Sequence, residues 1–250
     1  MRLTIITGAS RGMGAAMARQ IAARSGQVLL TLARGPAPEL SLGATSRHEH
    51  WKVDLAEPGP VAARLAGWLA AQRAAVDAGA VLINNAGMLG EVGAIDGADP
   101  ALTAEAVRVN LEAPILLTQA FLRATAGWPG PRDVLQISSG AGRNAYAGWS
   151  LYCATKAGLD HFTRAAVLDE AQRPEGTRAR LVSLAPGVID TAMQDAARKA
   201  DPKAFPELQR FLDLKANNQL ATPEAAATRV LAYLERPDFG SKPTADVRDT

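Results

Sequence analysis

The sequence predicts an α/β fold, a doubly wound parallel sheet with helices on both faces, and three observations carry that prediction. Short runs rich in β-branched residues and leucine alternate with longer alanine-rich segments of helical period, the pattern of repeated βα units. The strand-like runs are apolar on both faces, as a sheet covered from either side requires. A length of 250 residues, 48% hydrophobic and 21% charged, suits one domain with an ample core.

Leu3 to Thr7 is the first predicted strand, and it runs directly into a glycine-rich turn and a helix over Gly14 to Ser25. Further strands are expected over Gln27 to Ala33, His50 to Val53, Ala80 to Asn84, Asp133 to Ser138 and Ala179 to Ala185. Helices are expected over Pro60 to Ala75, Leu102 to Thr125, Ser150 to Gln172 and Pro223 to Glu235. Thr222 opens the last of these as N-cap, with Pro223 at the first helical position. Right-handed crossovers then wind the sheet in both directions. Ile189 to Gln219 is helical in tendency but broken by Pro202 and Pro206. It stands at the carboxyl end of the sixth strand, where such folds bind ligands, and reads either as a lid over a pocket or as a surface excursion. No repeat, low-complexity tract or linker divides the chain, so residues 1–250 are expected to form a single domain.

Lys and Arg exceed Asp and Glu by only two, 27 against 25, and the two signs are interspersed. That balance excludes a nucleic-acid face. The N-terminal apolar run is too short for a signal-peptide core and no later segment approaches a membrane span, so a cytoplasmic protein is expected. Cys153, the single cysteine, has no intrachain partner and no histidine near it, and reads as a small packing residue. His48 and His50 lack a third ligand of suitable spacing and, with His161, read as strand or surface residues. No metal is expected.

The turn Thr7-Gly8-Ala9-Ser10-Arg11-Gly12-Met13-Gly14 follows the first strand and opens a helix. Glycines there permit a tight turn, let a pyrophosphate approach the backbone and pack the helix close to the strand. A carboxylate at the end of the second strand would hold a ribose 2′-hydroxyl, but Ala33 and Arg34 stand there, and Arg11 adds a second cation from the turn. Two guanidiniums suit a 2′-phosphate, so NADP(H) is the coenzyme expected. Tyr152 and Lys156 are four residues apart, on one face of a helix, and Ser139 lies thirteen residues upstream of the tyrosine. An ammonium beside a phenol lowers a pKa that is ordinarily about 10. By themselves, Asn110 reads equally as a helix brace and Asp54 as a turn residue.

Together, Thr7 to Gly14, Asn84-Asn85-Ala86-Gly87, Asn110, Ser139, Tyr152, Lys156 and Pro186-Gly187 resemble the signature of the short-chain dehydrogenase/reductase family, over residue 3 to about residue 190. The resemblance implies a single-domain Rossmann-type fold and hydride transfer between a nicotinamide cofactor and a carbonyl or alcohol. It implies that Tyr152 is the general acid in reduction, that Ser139 holds the substrate oxygen and that Lys156 binds the nicotinamide ribose and lowers the tyrosine pKa. Asn110 would anchor a water in the proton relay. The coenzyme would lie against Gly8, Ser10, Arg11, Gly12, Met13, Gly14 and Arg34. Asp54 and Leu55 would flank its adenine, Asn85, Ala86 and Gly87 would line it, and Pro186, Gly187, Val188 and Thr191 would meet its nicotinamide side.

Within the family, Ser138 to Asn144, Gly148 to Cys153 and Pro186 to Gln194 resemble the sepiapterin reductases and the bacterial enzymes that reduce one carbonyl of benzil-like diketones. That similarity implies an NADPH-dependent carbonyl reductase acting on a small ketone or diketone. Substrate contacts are then expected from Trp149, which reads as either a stacking platform or a core aromatic, from Met193, and from Asp246, at a position where a carboxylate can hold a pterin's amino group. The alternatives are a 3-oxoacyl-thioester reductase and a non-catalytic NADP-sensing module. The C-terminal Val-Asp-Gly-Gly of the 3-oxoacyl branch is absent, and family analogy suggests a homodimer through the helices near Leu102 to Thr125 and Ser150 to Gln172.

Overall fold

A computed structural model describes residues 1–249, so Thr250, the last residue of the expected domain, lies outside the described residues. Seven strands form one parallel sheet: β1 (Arg2–Thr7), β2 (Gln27–Ala33), β3 (Arg47–Lys52), β4 (Ala80–Asn84), β5 (Arg132–Ile137), β6 (Arg180–Ala185) and β7 (Thr244–Asp246). Their order is β3-β2-β1-β4-β5-β6-β7, so the chain winds outward from β1 in one direction, returns to β4 and proceeds in the other. The crevice between the carboxyl ends of β1 and β4 is where this topology places ligands.

Among the described residues, eight α-helices accompany the sheet: α1 (Gly12–Ala22), α2 (Pro58–Gln72), α3 (Pro100–Val107), α4 (Ala113–Ala124), α5 (Ser150–Ala171), α6 (Ala192–Arg198), α7 (Leu208–Ala216) and α8 (Pro223–Leu234). Consecutive residues of β1 show how both faces are used. Ile6 joins Met17, Leu29, Val230 and Leu231 under α1 and α8, whereas Ile5 joins Leu30, Leu65, Leu117 and Phe121 under α2 and α4. Alternation of side chains along a strand produces both clusters. Phe121 is completely buried. Truncating such a residue to alanine costs about 3–5 kcal/mol.

Three elements differ from expectation. β3 reads Arg-His-Glu-His-Trp-Lys and is largely exposed, because it is the edge strand; only Trp51 is fully buried. His48 and His50 lie on it, 2.7 and 2.9 Å from the Thr31 hydroxyl, and no group of three metal-binding side chains occurs among the described residues. The single long helix expected over Leu102 to Thr125 is instead α3, a π turn over Arg108–Glu112, and α4. Pro114 accounts for it: proline has no N–H to give the carbonyl of Asn110 four residues earlier, and its ring clashes with that carbonyl in a regular α-helix. The C-terminal segment, where no strand is expected, forms the edge strand β7, paired with β6 from Ser183 to Ala185.

Candidate active site

The glycine turn is shaped by two different requirements. Gly8 and Gly12 adopt φ of +69° and +57°, the left-handed region that suits glycine. Gly14 is ordinary helix, but a Cβ on it would lie 2.2 Å from the Gly8 carbonyl oxygen and 2.5 Å from Asn85 Nδ2. The neighbouring strand end is stitched to this turn. Thr7 Oγ1 accepts from the backbone N–H groups of Asn85 and Ala86 at 3.0 and 2.9 Å, and Asn85 Nδ2 donates to the Thr7 and Gly8 carbonyls at 2.9 and 3.2 Å. Arg11, the N-cap of α1, makes no side-chain capping hydrogen bond. The first turn of α1 therefore keeps backbone N–H groups with no side-chain acceptor from the cap, the arrangement that binds phosphate.

This crevice opens into a cavity of about 850 Å³, a volume suited to a nucleotide with a small substrate. Every cofactor position expected from the sequence lines it, from Gly8 to Gly14 at one end through Asp54, Leu55 and Asn85 to Gly87, to Pro186, Gly187, Val188 and Thr191 at the other. The bare backbone at Gly8, Gly12 and Gly14 and the uncapped helix start fit a dinucleotide's pyrophosphate. Arg34 also lines the cavity and is 63% exposed, but it is not unattached: its Nη1 donates to Glu105 Oε1 at 3.2 Å and lies 4.0 Å from Asp54 Oδ2.

Ser139, Tyr152 and Lys156 meet at the same cavity. Ser139 caps a short 3₁₀ turn, accepting from Ala141 N at 3.2 Å, and its hydroxyl also hydrogen-bonds the Tyr152 phenol. Lys156 Nζ donates to the Ile137 carbonyl at 2.7 Å and stands 5.8 Å from the centre of the Tyr152 ring. Burial dominates both titrations. The Tyr152 phenol is pushed up to about 12 by desolvation, with the Ser139 hydrogen bond opposing, and the Lys156 ammonium is brought down to about 8 by desolvation, with Asp160 opposing. The expectation of a lowered tyrosine pKa is thereby corrected: the cost of taking a phenolate out of water outweighs the opposing Ser139 hydrogen bond.

Asn110 is completely buried in the π turn and does not line the cavity. Its side chain holds the loop after β4, accepting from Met88 N at 2.9 Å and donating to Met88 O at 2.8 Å. Trp149 stacks on Phe205 with centroids 5.1 Å apart and 12° between planes, and meets Tyr152 edge-on at 5.7 Å, so it is a packed aromatic that also forms cavity wall. Met193 lines the cavity beside it. Asp246 lines it too, but the carboxylate is only 4% exposed and is given to Arg248, which donates to it from its backbone N at 3.0 Å, Nε at 2.8 Å and Nη2 at 2.7 Å. Asp246 is therefore a buried, ion-paired residue, and three of the hydrogen bonds its carboxylate can accept are taken by Arg248.

A family model described as short chain dehydrogenase matches residues 2–202. The chain belongs to that family. Short chain dehydrogenases are oxidoreductases that act on carbonyl and alcohol groups with nicotinamide cofactors. Among its relatives, a benzil reductase ((S)-benzoin forming) of Bacillus cereus is 34% identical over 96% of each chain. A sepiapterin reductase of Xenopus tropicalis is 33% identical over 99% of this chain and 96% of its own. A solved structure, the KRED1-Pglu enzyme, superposes with a TM-score of 0.80 at 29% identity over 97% of this chain and 99% of its own.

Sequence reasoning overlooked Asp160. It is 2% exposed, and its Oδ1 accepts from the hydroxyls of Ser138 and Ser183 at 2.5 and 2.6 Å. The signal was present: 152, 156 and 160 continue a four-residue spacing along one helix face. Arg210, Phe211 and Arg248 were also missed, because only tertiary folding brings them to the cavity, as it brings Phe205 against Trp149.

Proposed function

We propose that this chain is an NADPH-dependent carbonyl reductase that converts a small ketone or diketone to an alcohol, with Tyr152 as general acid. The observation that carries the reading is the meeting of Ser139, Tyr152 and Lys156 at the cavity that the glycine turn opens, with burial keeping the phenol protonated. Ser139 and Tyr152 would donate to the substrate oxygen, where negative charge develops. The coenzyme, held by the glycine turn and α1, supplies the hydride. Tyr152 gives its proton to that oxygen, and the Lys156 ammonium stabilises the phenolate left behind. Asn110 fixes the Met88 loop beside Gly87, and its carbonyl, lacking a helical donor at Pro114, would accept a relay water. Arg34 and Arg11 would take the 2′-phosphate, so that the coenzyme is NADP(H) rather than NAD(H).

Kinship with benzil and sepiapterin reductases supports the substrate class. The segment 189–219, whose Met193, Arg210, Phe211 and Leu214 line the cavity, would act as the substrate lid. No helix among the described residues is long and apolar enough to cross a membrane. A cytoplasmic homodimer is the assembly proposed, with Leu102, Val107 and Leu168 exposed at 39%, 37% and 67% on α3 and α5 as its apolar contacts. The test is NADPH oxidation with benzil and with acetoacetyl thioesters. A Tyr152→Phe variant should bind NADPH and lose at least 10²-fold in kcat. A variant that kept the parent rate would sink the mechanism and leave a coenzyme-sensing module in its place.

A further inference from the structure

One wall of the cavity carries two guanidiniums that the reduction itself does not use. Arg210 belongs to α7 and Arg248 follows β7, and both line the cavity together with Tyr146. Tyr146 ties them to the reacting end. Its hydroxyl lies 3.9 Å from the position a Cβ would take on Gly140, the residue after Ser139, and the guanidinium carbon of Arg210 stands 5.7 Å from the centre of its ring. Arg210 is raised chiefly by the Tyr146 hydroxyl; Arg248 is raised chiefly by Asp246, with a smaller contribution from Tyr146.

The carboxylate at this end is already committed. Asp246 takes Nε and Nη2 of Arg248 in a bidentate pair, and Arg143 Nη1 lies 4.0 Å from its Oδ2. That pair leaves the two N–H groups of Arg248 Nη1 outside it. Arg210 gives Nη1 to Glu207 at 3.4 Å, which leaves its Nε and Nη2 outside that contact. Trp149, which meets Tyr152 edge-on and stacks on Phe205, and Phe211, tilted against it, both line the same cavity. The cavity thus offers unused guanidinium N–H donors together with aromatic wall.

From this we infer that the substrate carries an anionic acceptor group remote from its reacting carbonyl. The chemical class is an aryl ketone or diketone bearing a carboxylate, which Arg210 and Arg248 hold while the ring lies against the aromatic wall. Planar guanidiniums match a carboxylate's two oxygens. Asp246, which already accepts three hydrogen bonds from Arg248, has little acceptor capacity left for an amino-bearing heterocycle at the same place. The inference rests on the carbonyl-reductase reading and deepens it.

Benzil and its 4-carboxylate are the probes. Each is titrated into the full-length protein with NADP⁺ present, and tryptophan quenching reports binding without turnover. The carboxylate is expected to bind about tenfold more tightly at low salt, the effect of one charge-assisted hydrogen bond. That advantage should shrink as ionic strength rises. Arg210→Ala and Arg248→Ala should each reduce it, and Arg248→Ala should reverse it, because Asp246 is then uncovered. Equal affinity of the parent for both compounds, or an advantage indifferent to salt, overturns the inference even if the variants fold poorly. NADPH-dependent reduction of both compounds with equal affinity would leave the reductase standing and remove the arginine site alone. A tenfold advantage with no NADPH oxidation would do the reverse.

Discussion

Gly14→Ala tests whether coenzyme binding depends on the close approach of α1 to β1. The position has ordinary helical backbone, so alanine is intrinsically favourable there by up to about 1 kcal/mol. Any loss must therefore come from contact. The added methyl would lie 2.2 Å from the Gly8 carbonyl oxygen, 2.9 Å from Gly8 C and 2.5 Å from Asn85 Nδ2. Two of those atoms are backbone, and comfortable contact needs about 3.5 Å, so the turn and the start of α1 must separate by roughly an ångström. Overpacking of this kind costs about 1–3 kcal/mol. The strain falls on Gly8 and Asn85, which brace the turn between Thr7 and the strand end of β4. We expect urea unfolding to show a loss in that range, and NADPH affinity, measured by coenzyme fluorescence, to fall by tenfold or more. Parent-like stability together with parent-like NADPH affinity would refute the close-approach reasoning.

Lys156, brought down to about 8, should set the upper limb of the kcat/KM profile for NADPH oxidation, with Tyr152 at about 12 still protonated there. A profile flat to pH 10 would contradict this. The same shift acts oppositely on stability: the unfolded chain binds the proton up to about 10.5, so this group's contribution is present above that pH and is lost as pH falls through about 8. Urea midpoints, after correction for other groups by a Lys156→Met control, should rise between those values. Asp160→Asn keeps an acceptor for Ser138 and Ser183 but removes the charge that supports the ammonium, so the activity limb should move to lower pH, with a loss of about 1–3 kcal/mol in stability; an unmoved limb would exclude the electrostatic role. Arg34→Asp should lower the ratio of NADPH to NADH efficiency about tenfold or more, and Glu105→Gln, which releases Arg34, should raise it. Ratios that stay constant in both variants would remove Arg34 from coenzyme choice.

The sheet was legible because its strands are buried on both faces and its helices have clear alanine-rich periods; β2 and β4 begin and end where the sequence places them. The edges were not legible. β3 is polar because one side has no neighbour, and β7 is three residues long, too short to generate a period of its own. The break at Asn110 was readable in principle from Pro114, but helical propensity on either side masked it. At the site, residues close in sequence or fixed by a turn were found, whereas Arg210 and Arg248 take their place from packing. The sign of the tyrosine shift was also beyond sequence reading, since spacing reports a neighbour but not the depth at which both groups are buried.

The cavity is assembled from many separate stretches of chain. Residues up to 87 furnish the glycine turn and the Arg34 corner, whereas the aromatic stack and the paired guanidiniums come from residues 146–149, 205–211 and 246–248. Selection on what is reduced can therefore proceed without disturbing what does the reducing. Transplanting the latter segments between members of the family should exchange substrate preference while leaving the dinucleotide half intact, and directed diversification of this protein is best confined to them.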